Sequence, residues 1–78
     1  MDLSTDILKN LGAKHIGCLK ERVIGHNVVI PQYTIVWTEM NLEGAPKDTI
    51  IGWKFLNGNA VLSANISQEF VTIIEKIK

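Results

Sequence analysis

The stretch that most constrains this chain is residues 48–64, DTIIGWKFLNGNAVLSA, in which Asn57-Gly58 separates two apolar runs. A type I′ turn requires positive φ at both central residues, and Asn and Gly tolerate that best, so the stretch reads as a β-hairpin. With Asn57 and Gly58 as the turn pair, Leu56 faces Asn59, Phe55 faces Ala60, Trp53 faces Leu62 and Ile51 faces Ala64. One face of the hairpin is then apolar. The other carries Ile50, Gly52, Lys54, Val61 and Ser63.

Around this hairpin the chain has room for one domain, residues 1–78, because a length of 78 residues supports a single small core. An apolar fraction of 46 % argues against disorder. Eight basic and eight acidic side chains cancel, which counts against a phosphate backbone as the default partner and leaves little repulsion between copies. The single Cys18 cannot close an internal disulfide, so a reducing, cytoplasmic setting is expected. Asp2 and Asp6 stand where a signal peptide needs positive charge, and no apolar run approaches membrane-spanning length, so no membrane association is expected.

Residues 4–11 predict a short helix, with Ser4 or Thr5 as N-cap, Asp6 near the positive end of the dipole and Gly12 at C′. Residues 15–24 and 27–30 read as strands joined through Gly25-His26, and Pro31 places an edge or a bulge before the pattern resumes at 33–40. Residues 41–47, NLEGAPK, form a loop. Pairing across it puts Ile35 near Trp53 and Trp37 near Ile51, so both tryptophans share one face. At the C-terminus, Ser67 reads as an N-cap, Ile66 and Val71 as a hydrophobic staple, and Phe70, Ile73, Ile74 and Ile77 as a helical stripe. The expected fold class is therefore α+β: a short N-terminal helix, a three- to four-stranded mostly antiparallel sheet, open or curled into a small barrel, and a C-terminal helix.

Catalytic chemistry finds little support. Cys18 with His15 or His26 is the one nucleophile and base combination, and sequence proximity alone does not populate a thiolate. His15-x-x-Cys18 supplies half of a zinc site with no second cysteine to complete it. Glu39, Glu43 and Asp48 flank the loop without calcium-type spacing, and the scattered glycines form no phosphate cradle. The chain is accordingly expected to be non-enzymatic, with no catalytic residue, metal or cofactor assigned.

Two binding readings follow. If the helices cover the tryptophan face, then Val28, Ile30, Val36, Thr38, Met40, Ile50 and Val61 lie on an uncovered apolar reverse. That predicts a protein-interaction module, a homodimer or a small adaptor or inhibitor of another protein, docking through this face or through an edge strand. The alternative is a nucleic-acid-binding or transcription-regulatory module that uses the basic segment around Lys14, Lys20 and Arg22, with Tyr33 for stacking.

Overall fold

A computed structural model describes residues 4–25 and 27–77, and it is mostly sheet. The order is α1 (Thr5–Asn10), β1 (His15–Leu19), β2 (Val23–Gly25), β3 (Val28–Ile30), β4 (Ile35–Thr38), β5 (Ile50–Asn57), β6 (Ala60–Ser67), a 3₁₀ turn (Gln68–Phe70) and β7 (Val71–Lys76). Five strands make one antiparallel sheet in the order β6-β5-β4-β1-β7, while β2 and β3 form a separate small hairpin. The sheet does not close into a barrel.

The N-terminal helix matches expectation. Ser4 is its N-cap, and the Ser4 hydroxyl accepts the Ile7 N–H at 3.2 Å. Gly12 follows the C-cap with φ +91°, a conformation that costs a residue with a Cβ but not glycine.

The C-terminal helix is overturned, and with it the α+β class. Ser67 does precede a helical turn, but that turn stops at Phe70 and the chain runs on as β7 beside β1. Val71, Thr72, Ile73 and Ile74 are four β-branched residues in succession. Their χ1 freedom suffers in a helix and suits a pleated strand, so the local preference and the open flank of β1 both point to sheet. The helical spacing of Phe70, Ile73, Ile74 and Ile77 is coincidental. Ile74 is an extra residue in the ladder, because Ile16 faces Glu75 while Gly17 faces Ile73.

The hairpin expected at Asn57 is present with its register moved by two. Phe55 faces Leu62, Trp53 faces Ala64, and Asn57 itself pairs with Ala60. The turn residues are thus Gly58 and Asn59, and only Gly58 has positive φ, the pattern of a type II′ turn with glycine first. An even slip preserves faces, so Ile51, Trp53 and Phe55 still point together into the core. The turn proposed at Gly25-His26 involves a residue outside those described.

Between β4 and β5 the slip is odd and its effect is opposite. Trp37 faces Lys54 and Val36 faces Phe55, three positions away from the expected pairing of Trp37 with Ile51. Trp37 and Trp53 therefore lie on opposite faces of the sheet. The inner face holds Leu19, Val36, Ile51, Trp53, Phe55, Ile66 and Val71, and it is covered by Ile30 and Leu42 with Val23, Val28 and Phe70 packed against them. Across the sheet, Trp37 and Ile16 are covered by Leu8 of α1 and by Ala13. Each face has its own cover. Burial of this order contributes about 1.5–3 kcal/mol per large apolar side chain.

Candidate functional site

The expected interface residues do not gather on one exposed surface. Ile30 and Val36 are fully buried in the inner core, Thr38 is buried, and Val28 packs against that core half-buried. Met40, Ile50 and Val61 are exposed, at 53 %, 66 % and 51 %. On the outer face of the β5–β6 hairpin, however, Ile50 and Val61 sit at opposite ends, opposite Ser67 and Leu56. Between them lie Gly52, Lys54, Ser63 and Asn65. Lys54 is tied there to Glu39 at 2.8 Å. The broad apolar reverse face is thus replaced by a polar middle, because the odd slip at β4 moved Val36 and Thr38 inward.

The basic set divides as well. Lys20, Arg22 and Tyr33 lie beyond the end of β1, where Tyr33 N–H donates to the Leu19 carbonyl at 3.0 Å. Lys14 precedes the other end of the same strand. Tyr33 is 71 % exposed and held at φ +70°, in the left-handed region that bulky residues avoid.

The candidate chemical groups are drawn apart. His15 and Cys18 are three apart on one strand and so point to opposite faces. His15 is buried at the start of β1, and its Nε2 accepts the Leu42 N–H at 3.0 Å. That bond pins the loop after β4 so that Leu42 enters the inner core. Glu39 is bound to Lys54 and Glu43 to Lys76, so the carboxylates flanking the loop diverge. The hydrogen bond from Lys76 and its positive charge hold the Glu43 carboxyl below the usual range, with His15 adding a little and partial desolvation opposing. Among the described residues no group of three or more metal-ligating side chains converges.

What the fold does expose is an edge. β7 ends the sheet on one side, with a bulge and with Glu75 and Lys76 in its length, devices that discourage further pairing. β6 ends the other side, is eight residues long, and among the described residues pairs only with β5. From Phe55 to Gln68 the chain contains no charged residue and no proline. Among the described residues no charge, proline or bulge blunts β6.

The hydrogen-bond parity of this edge follows from the register. The Gln68 N–H donates to the Thr49 carbonyl at 2.8 Å, one step beyond the pair of Ile51 with Ile66 and two residues along each strand. In an antiparallel ladder bonded pairs alternate, so Ala60, Leu62, Ala64 and Ile66 direct their backbone groups to β5. Val61, Ser63, Asn65 and Ser67 then turn theirs outward. Near the Ser67 end a cleft of about 280 Å³ opens, lined by Asn65, Ile66, Ser67 and Phe70 together with residues 21–24. Ser67 Oγ, at that end, is buried with no hydrogen-bond partner among the described residues.

The sequence offered a signal for this edge: the uncharged run between Lys54 and Glu69. It became interpretable only once β6 was known to be outermost. Comparison with family models, with curated proteins and with solved structures finds no match to this chain.

Proposed function

We propose that this protein is a protein-interaction module that receives an extended segment of its partner along β6, as an added antiparallel strand. The observation that carries the reading is the asymmetry of the two sheet edges: β7 is bulged and charged, whereas β6 is long, straight in register and uncharged. A free edge of this kind is a hazard for a chain that works alone and a binding surface for one that does not. The outward N–H and C=O groups of Val61, Ser63 and Asn65 provide the bonds, each contributing roughly 0.5–1.5 kcal/mol net. Half-exposed Leu62 and Val61, on alternate faces, provide the apolar contacts.

Proline tests the edge without touching the sheet. Ser63 turns its N–H away from β5, so Ser63→Pro removes a docking donor and leaves the β5–β6 ladder its bonds. With tagged wild type and tagged Ser63→Pro as baits in extract from the native cell, a stoichiometric partner should copurify with wild type and be lost with the variant. Equal capture by both baits would exclude β6 as the surface.

A further inference from the structure

We infer that the strand received along β6 is the β6 of a second copy of this chain, running antiparallel with Ser63 on the two-fold axis. The inference rests on the edge reading above and adds the occupant. A two-fold axis brings residues into register with their own copies, so an edge serves a symmetric dimer only if its twin-facing positions do not repel. Along β6 none can, because residues 55–68 are uncharged and the whole chain has a net charge of zero.

Parity narrows the register. Outward-facing residues must meet outward-facing residues, which restricts antiparallel self-pairing of β6 to registers centred on a single residue. Two such registers overlap seven of the eight strand residues, one centred on Ser63 and one on Ala64. The second would carry the partner past Ser67, into the cleft that residues 21–24 line. The first stops at Ile66. It pairs Val61 with the partner's Asn65, Ser63 with the partner's Ser63 and Asn65 with the partner's Val61. On the inner side of the sheet it sets Leu62 against the partner's Ala64, covering a leucine that is 37 % exposed in the single chain. The product is one continuous ten-stranded sheet, two copies of the five strands described.

Charge at the axis provides the test. Ser63 lies across from Lys54 in its own hairpin, so Ser63→Glu places a carboxylate beside a lysine within the chain and two carboxylates together across the axis. By sedimentation equilibrium over a concentration series, wild type should reach twice the chain mass. Ser63→Glu and Ser63→Lys should each sediment at the chain mass while still unfolding cooperatively on heating, with the midpoint lowered in Ser63→Lys by the like charge of Lys54, and their equimolar mixture should recover the doubled mass. In a Cys18→Ser background, Ser63→Cys should form a disulfide-linked dimer on mild oxidation, since bonded antiparallel partners hold their Cα atoms about 5.5 Å apart, within disulfide reach. A wild type at the chain mass overturns the inference, and if Ser63→Pro still abolishes partner capture, the edge reading survives without it. A dimer indifferent to Ser63→Glu, with no Ser63→Cys crosslink, overturns the β6 dimer and places self-association on another surface.

Discussion

Replacing Gly17 with alanine tests the placement of β7 directly. Gly17 is buried in β1 between β4 and β7, and a Cβ there would collide with Cγ1 of Val71 and lie 3.0 Å from the Thr72 carbonyl oxygen. Val71 is itself 4 % exposed and packed into the inner core, so it has little room to retreat. Overpacking of this kind costs roughly 1–3 kcal/mol, so Gly17→Ala should lose about 2 kcal/mol, the middle of that range. Val71→Ala alone loses two buried carbons at about 0.8 kcal/mol each plus a cavity contribution, also about 2 kcal/mol. The double variant should fall short of the sum by at least 0.5 kcal/mol, as the added methyl group enters the volume that Val71 vacates. The Thr72 contact remains, so the rescue is partial. Urea titrations with constant m-values would measure all three. A Gly17→Ala within about 0.5 kcal/mol of wild type, or strict additivity in the pair, would refute the packing of β7 against β1.

Three further outcomes follow from particular contacts. His15→Phe removes the acceptor of the buried Leu42 N–H while keeping a ring of similar shape, so chemical denaturation should show a loss of about 1–3 kcal/mol; an unchanged midpoint would mean the loop after β4 is held by other contacts. Because Lys76 lowers the Glu43 pKa in the folded state, their pairing contributes above the ordinary glutamate value of 4.5 and is lost as pH falls through the folded-state pKa. Carbon-detected NMR titration should find the Glu43 midpoint rising toward that ordinary value in Lys76→Met, and no movement would exclude the pair. Tyr33→Gly releases a bulky residue from φ +70° where its ring is largely exposed, and thermal unfolding should show equal or higher stability, by up to about 1 kcal/mol. A clear loss would reveal that the ring makes contacts worth more than the strain.

Local features of the chain were legible where a single physical cause dominated. Ser4 and Gly12 announced the helix ends, and the glycine-centred turn announced the β5–β6 hairpin, because capping and positive φ are short-range demands. Faces survived in that hairpin since its register error was even. Between β4 and β5, eleven residues intervene and no turn chemistry fixes the pairing, so the register was decided by packing: Trp37 finds Leu8, Ala13 and Ile16 on the far side. That odd slip turned Val36 and Thr38 from supposed interface residues into buried ones. The C-terminal segment shows the converse, where an apolar spacing fit for a helix was outweighed by its β-branched run and by the flank of β1. The open edge was visible as an uncharged run, but a strand's position in a sheet is set by the whole topology.

Residue-resolved hydrogen exchange along β6 tests the open edge most directly. In dilute protein, the amides of Leu62, Ala64 and Ile66 should exchange slowly and those of Val61, Ser63 and Asn65 quickly, with the fast set slowing as concentration rises and the second strand pairs. Uniformly slow exchange along β6 at high dilution, or fast exchange of Val61, Ser63 and Asn65 that persists at every concentration and with every captured partner, would contradict the β6 edge as the place where this protein meets another chain.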